Sequence, residues 1–151
     1  MEKSTVYYRC PIGWIKIQKE DAHLAALDFL AKKPSQGEIL KKNTVLYREL
    51  DGYFHKKEKK FTARVSAQGT PFQRRVWERL KTIPFGKTVS YGEVAAGIGR
   101  KKSVRAVANA IGRNKFPVMI PCHRVIGSDG SLTGYAYGLR RKAWLIKHEN
   151  G

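Results

Sequence analysis

The sequence predicts an α+β fold in two lobes. A small N-terminal α/β lobe with an antiparallel sheet occupies residues 1–68, and a mainly helical C-terminal lobe containing a helix-turn-helix occupies 69–151. Three observations carry this expectation. Residues 5–30 alternate apolar and polar side chains at the period of a strand, residues 70–112 hold two capping boxes within three helical patterns, and basic residues are concentrated in the second half.

In the first lobe, residues 5–10 read as a strand, Pro11-Ile12-Gly13 as a turn, and Trp14-Ile15-Lys16-Ile17-Gln18-Lys19 as a half-buried strand. Glu20-Asp21 makes a second turn before the apolar run 24–30, and Pro34-Ser35-Gln36-Gly37 ends the region. Ile39, Leu46, Leu50, Tyr53 and Phe54 recur at helical spacing and predict an amphipathic helix over roughly 38–54. The charged stretch 55–60 is a loop.

In the second lobe, Thr70-Pro71-Phe72-Gln73 is a capping box with proline at the first helical position, where a missing N–H costs nothing. That helix buries Phe72, Val76 and Leu80 and stops before Pro84-Phe85-Gly86. Ser90-Tyr91-Gly92-Glu93 opens a second, short helix that ends at Gly97 or Gly99. A third helix starts near Ser103, buries Val104, Val107, Ala108 and Ile111, and ends at Gly112. Its outer face is Arg105, Ala106, Asn109, Gly112 and Arg113. Two short helices joined by a glycine-containing turn form a helix-turn-helix pattern. The small residues let the second helix approach a backbone closely, and the arginines can meet phosphates. A last helix over 139–149 packs Leu139, Trp144 or Ala143, and Ile146 inward.

Thirty lysines and arginines stand against twelve acidic residues, a net charge of +18. Residues 1–70 hold 14 basic and 8 acidic side chains, whereas 71–151 hold 16 and 4. A chain this basic repels itself, and a polyanion relieves the repulsion, so nucleic acid is the expected partner and an anionic membrane surface the alternative. The longest apolar stretches fall far short of the roughly 20 residues that span a bilayer. Residues 1–10 lack the apolar centre of a secretory signal, which predicts a cytoplasmic protein, nuclear in a eukaryote.

The two cysteines, Cys10 and Cys122, are expected to be reduced thiols in such a compartment. There is no CxxC pair, and His23, His55, His123 and His148 are scattered, so no metal site is expected. Cys10 lies in a strand-like stretch and reads as a buried small residue. Cys122 lies in Pro117-Val118-Met119-Ile120-Pro121-Cys122-His123-Arg124-Val125-Ile126-Gly127, which reads as two short buried strands broken at Pro121. Neighbouring side chains on extended backbone point apart, so a proton can pass from Cys122 to His123 only through a bridging water. A thiolate formed this way, with Arg124 nearby, is a soft nucleophile suited to an alkyl carbon. A buried thiol beside a hydrogen-bonded histidine and arginine, with no chemistry, is the plainer alternative.

Pro121-Cys122-His123-Arg124-Val125 resembles the active-site signature of the O6-alkylguanine-DNA alkyltransferases, the methylated-DNA–protein-cysteine methyltransferases. The resemblance extends over about residues 70–150, and the N-terminal lobe fits the family in general outline. It implies a suicide repair protein that takes an alkyl group from O6-alkylguanine in double-stranded DNA, once and irreversibly, as a monomer without a cofactor. By resemblance, Cys122 is the alkyl acceptor, His123 takes its proton through water, and Glu149 orients His123. Tyr91 hydrogen-bonds the flipped guanine and crowds the target phosphate. Arg105 enters the duplex where the base has left, with Asn109, Arg113 and Arg124 assigned to the DNA-facing group. Asn114 holds the bend after the recognition helix, Pro117 and Tyr135 line the alkyl and guanine pocket, and Ser128 belongs to the lesion-binding loop.

One departure stands out. After Gly134-Tyr135 the family carries a serine and glycines, whereas this chain has Ala136 and Tyr137, which predicts a narrower pocket mouth. Three other functions compete: an alkyltransferase-like protein that binds lesions without transfer, a helix-turn-helix regulator, and a cysteine hydrolase. The presence of Cys122 opposes the first, the lack of a separate regulatory domain the second, and the adjacent Cys-His order the third.

Overall fold

The computed structural model describes residues 2–151. The chain is α+β and divides into two compact units, residues 1–67 and 68–151. The first unit opens with three antiparallel strands, β1 (Lys3–Cys10), β2 (Gly13–Glu20) and β3 (His23–Phe29). Strand alternation buries Val6, Tyr8 and Cys10 on β1 and Ile15 and Ile17 on β2, the core face of the sheet. On β3 the alternation changes phase, because a bulge leaves Ala25 opposite no partner between the pairs Gln18–Ala26 and Lys19–Leu24. That extra residue puts Leu24 on the same face as Leu27 and Phe29, while Ala26, opposite Gln18, is buried on the other face.

The predicted helix over 38–54 starts later than expected. Glu38–Ile39 is a two-residue strand, β4, which pairs parallel to β1 and makes the sheet mixed, in the order β3-β2-β1-β4. Ile39, which the helical spacing had placed inside, is 56% exposed. The helix α1 runs Val45–Lys56, opened by Thr44, whose hydroxyl accepts the N–H of Tyr47. It buries Leu46, Leu50, Tyr53 and Phe54 and ends at Lys57 in the left-handed region.

The second unit holds α2 (Pro71–Leu80), α3 (Tyr91–Gly97), α4 (Val104–Gly112) and α5 (Leu139–Asn150). Both capping boxes form: Thr70 with Gln73 and Ser90 with Glu93 satisfy each other's backbone N–H groups reciprocally. Trp77 of α2 donates its indole N–H to the Ala110 carbonyl of α4 at 2.8 Å, so the helix-turn-helix is tied to the helix before it. The turn between α3 and α4 passes through Gly99 at φ +74, a conformation that favours glycine. Two-residue strands β5 (Val89–Ser90) and β6 (Val125–Ile126) pair in parallel and bring the Cys122 segment beside the start of α3.

Two helix faces differ from expectation. On α4 the buried residues are Val107, Ala110 and Ile111, while Val104 is 38% exposed, because the first turn lies outside the contact with α2 and α3. On α5 the buried residues are Lys142, Leu145 and Glu149, while Leu139 is 48% exposed. The inner stripe there is partly charged, so apolar spacing located it on the wrong side. Among the described residues no helix is long and apolar enough to cross a membrane.

Thr70→Ala removes the hydroxyl that accepts the Gln73 N–H, and we expect it to cost about 1 kcal/mol of stability. Urea unfolding of the two proteins checks this; an unchanged midpoint would contradict the cap's contribution.

Candidate active site

The route from α4 to the catalytic segment is set by Asn114, which is buried. Its amide donates to the Ile120 carbonyl at 2.9 Å, and its side-chain oxygen accepts the Phe116 N–H at 3.0 Å. These bonds fold residues 114–120 into a compact loop in which Val118 adopts φ +74. The expected strand over 117–120 is therefore absent, because its backbone groups are used within the loop: Ile120 donates to Phe116. Pro117, named from the resemblance, is buried in it. Pro121 takes φ −79 and ψ 65, close to an inverse γ-turn, and Cys122 donates its N–H back to Ile120 at 2.7 Å. Cys122–Arg124 is then a single 3₁₀ turn, and only Val125–Ile126 is strand.

Cys122, His123, Arg124 and Glu149 are all buried. His123 Nε2 lies 2.7 Å from Glu149 Oε2. A carboxylate can only accept there, so the imidazole proton sits on Nε2 and Nδ1 is left as an acceptor. Nδ1 is buried and has no protein partner among the described residues. Glu149 also accepts Arg124 Nε on Oε1 at 2.8 Å and Arg124 Nη2 on Oε2 at 2.9 Å, a bidentate pair, together with the Gly86 N–H on Oε1 at 3.3 Å. Arg124 spends its remaining nitrogen on the Ile83 carbonyl at 2.7 Å.

This corrects the place given to Arg124. Its guanidinium is inside the protein, engaged by a carboxylate and a carbonyl and set over the Phe85 ring at 5.7 Å, and does not reach a DNA backbone. Nor is it the charge beside the thiol. Burial pushes the Cys122 thiol up from its ordinary value, and hydrogen bonding to Asn114, the positive charge of Lys142 and the Tyr135 side chain act to lower it. Burial likewise holds His123 below its ordinary value against the pull of Glu149. In the DNA-free protein the pair is thus thiol and neutral imidazole, with the carboxylate already in place to accept an imidazolium.

Cys122, Asn114, Ile111 and Gly112 line a pocket with residues 134–137, whose interior of about 10 Å³ is room for one water molecule at most. Tyr135 and Tyr137 meet edge to face with ring centres 5.5 Å apart, and both line this pocket with Ala136. Tyr91, at the start of α3, donates its hydroxyl to the Thr133 carbonyl at 2.9 Å. Ser128 is exposed in the tight turn 127–131, outside the pocket. On α4, Arg105, Ala106, Asn109, Gly112 and Arg113 are all exposed on one side. A Cβ added to Gly112 would meet nothing within 4 Å, so that surface is open to an incoming partner.

Lys142 was not anticipated. It is 0% exposed and donates to the Thr133 carbonyl at 2.7 Å. Its one signal in the sequence is its place at three and seven residues before Leu145 and Glu149, on the face that the site itself requires α5 to bury. Gly86 and Ile83 were also missed as site residues, because each contributes a backbone group that no side-chain pattern announces.

The second unit is thus a helix-turn-helix built beside a buried cysteine, histidine and glutamate. Residues 71–151 match the family profile of the 6-O-methylguanine DNA methyltransferase DNA-binding domain, and residues 5–67 that of the family's ribonuclease-like domain. Methylated-DNA–protein-cysteine methyltransferases of Methanosarcina acetivorans and Methanosarcina barkeri are 40% and 44% identical over 148 and 146 residues; the matches cover 94% and 92% of this chain and 95% and 92% of those proteins. The crystal structure of Mycobacterium tuberculosis O6-methylguanine methyltransferase has a TM-score of 0.87 at 34% identity, covering 99% of this chain and 93% of that one. The M. tuberculosis protein in complex with DNA gives 0.86 at 36% identity with the same coverage. The chain belongs to the 6-O-methylguanine DNA methyltransferase family.

Because His123 is held below its ordinary value, the unfolded chain takes up a proton at a pH where the folded chain does not. Stability therefore falls as pH drops below about 6.5, by up to about 1.4 kcal/mol per pH unit, until the folded histidine itself protonates. Urea midpoints of the wild type and His123→Gln between neutral and mildly acidic pH check this. The wild type should lose stability more steeply, and parallel slopes would contradict it.

Proposed function

We propose that this protein repairs DNA by moving an alkyl group from the O6 atom of guanine to Cys122, acting once per molecule. The observation that supports the assignment to Cys122 is the buried His123–Glu149 pair next to it in the chain, with His123 Nδ1 left as a buried acceptor. A water between the sulfur and Nδ1 takes the thiol proton to the ring, and Glu149 and Arg124 fix the ring while it carries the charge. The thiolate then attacks the alkyl carbon. A sulfur–carbon bond forms, the carbon–O6 bond breaks with its electron pair going to the purine, and the proton taken from the thiol ends on the departing guanine.

The O6 atom of a stacked base cannot reach a buried sulfur, so the nucleotide must leave the helix at a cost of a few kcal/mol. Arg105, exposed on α4, fills the gap in the stack from the minor groove, where Ala106 and Gly112 permit close approach. Asn109 and Arg113, on the same side, contact the backbone. Contacts of this kind are independent of sequence, as repair at any site requires. Tyr91 meets the flipped base, and Pro117, Tyr135, Ala136 and the Ser128 turn surround it. Double-stranded DNA containing O6-alkylguanine is the substrate, and the protein acts as a monomer in the cytoplasm, or in the nucleus of a eukaryote. Support for DNA as partner comes from the net charge of +18 and from the DNA complex of the M. tuberculosis relative.

Incubation with duplex DNA bearing O6-methylguanine, followed by intact-mass measurement, tests this. One methyl group is gained per protein molecule, and Cys122→Ala gains none. No mass change, or many turnovers per molecule, sinks the proposal. Tyr137 narrows the pocket mouth, so bulky adducts suffer more than methyl. A Tyr137→Gly variant should therefore label faster with a benzylguanine probe while repairing methylated DNA at a similar rate; equal benzyl labelling rates would rule out Tyr137 as the restriction.

A further inference from the structure

A helix leaves its last carbonyls without partners of its own, and something else must satisfy them. The seven residues of α3 end in a Schellman turn. Arg100 donates its N–H to the Ala95 carbonyl at 2.8 Å and Gly99 to that of Ala96 at 3.0 Å, with Gly99 in the left-handed region. The Ile98 carbonyl lies outside that pattern. Arg75 of α2 takes it, Nη2 donating at 2.6 Å. One turn further along α2, the Arg79 guanidinium lies against Gly97, so closely that a Cβ on that glycine would overlap it. Towards the start of α2, the Arg100 guanidinium sits over the Phe72 ring at 5.9 Å. Phe72, Arg75 and Arg79 are three and four residues apart, so they share one face of α2.

We propose that Arg75 and Arg79 are positioning residues that clamp the end of α3, and through it the turn 98–103, so that α4 meets DNA in one fixed orientation. This rests on the docking of α4 on duplex DNA proposed above and adds the means by which that helix is aimed. Arginine suits the task, because its planar guanidinium can donate to a carbonyl or lie flat against backbone. A cation at the end of a helix also meets the negative pole of the helix dipole. The last turn of α3 contains no basic residue, so α2 supplies the charge from outside.

Both arginines are exposed and stand beside the helix-turn-helix, where contact with a phosphate is the plainer role for such residues. Their geometry opposes it. Arg75 is committed to a protein carbonyl, and Arg79 is laid on the backbone at Gly97. The start of α4 has little support of its own. Among the described residues Ser103 finds no side-chain cap, and Val104 in the first turn is exposed. Beyond its packed core face, α4 is tied at its far end by Trp77 and at its near end only through the turn, where Ser103 donates to the Arg100 carbonyl at 2.8 Å. A loosened turn therefore frees the end of α4 that carries Arg105.

The test measures duplex binding and methyl transfer by the full chain over a range of salt, for the parent, Arg75→Met, Arg75→Lys, Gly97→Ala and Arg113→Ala. Arg75→Met should weaken binding about tenfold and raise the DNA concentration that half-saturates transfer by the same factor, with the maximal rate retained. The slope of log affinity against log salt should stay that of the parent, because no phosphate contact is lost. Arg75→Lys keeps a donor and should lie close to the parent. Gly97→Ala alters no charge; it pushes Arg79 off the helix end and should weaken binding by a smaller factor, again with the parent's slope. In Arg75→Met, a slope lowered by about one would make the arginine a phosphate contact. A maximal rate that falls as far as the affinity would mean general damage. Either result overturns the proposal, as does unchanged binding. Arg113→Ala should lose affinity and slope together; if it loses neither, the docking of α4 has failed and the proposal falls with it. Hydrogen exchange separates the two failures, since it needs no DNA. The Gly99 and Arg100 amides should exchange faster in Arg75→Met, and unchanged exchange would mean that the clamp itself does not hold the turn.

Discussion

The Glu149 carboxylate accepts from four N–H groups on two separate stretches of chain: Gly86, and the neighbours His123 and Arg124, the latter with two nitrogens. It joins the end of α5, the turn after α2 and the 3₁₀ turn that carries Cys122. A buried carboxylate with so many donors cannot move without leaving several of them unpaired, and each unpaired charge or donor in the interior costs free energy. The histidine ring is thereby fixed in one tautomer and one orientation before any substrate arrives.

The buried polar groups also explain why helix faces were assigned imperfectly. Apolar periodicity assumes that the inner stripe of a helix is hydrophobic. On α5 the inner stripe is Lys142, Leu145 and Glu149, two of them charged, while apolar Leu139 is left half exposed. Asn114 shows the same behaviour in a loop. The apolar residues around it suggested a strand, but its side chain satisfies the backbone groups that a strand would have offered to a neighbour. Sites that do chemistry place polar groups where packing alone would place apolar ones, and pattern-based expectation fails there for that reason.

The DNA-free pocket has room for a single water, yet it must receive a purine and its adduct. Its wall is a segment bounded by Gly134 at φ +58 and Gly138 at φ +96, with two tyrosine rings between them. Burial in so closed a pocket favours the protonated thiol. Residues 134–137 form one side of that closed pocket.

The chain of amino acids by itself determined the α+β class, both capping boxes, the three-strand start of the first unit and the exposed face of α4. These depend on neighbours within a few residues, where propensity and capping chemistry act directly. The pairing of His123 with Glu149 was also legible, through the resemblance carried by the signature around Cys122. Tertiary structure alone decided the partners that come from far along the chain. Ile39 left its helical pattern because β1 offered its backbone a parallel edge, and Arg124 turned inward because Glu149 and the Ile83 carbonyl were waiting there. Lys142 became buried because the helix that carries Glu149 inward carries it on the same face. Hydrogen-bond partners tens of residues apart leave no period in a sequence, and only the folded backbone brings them within reach.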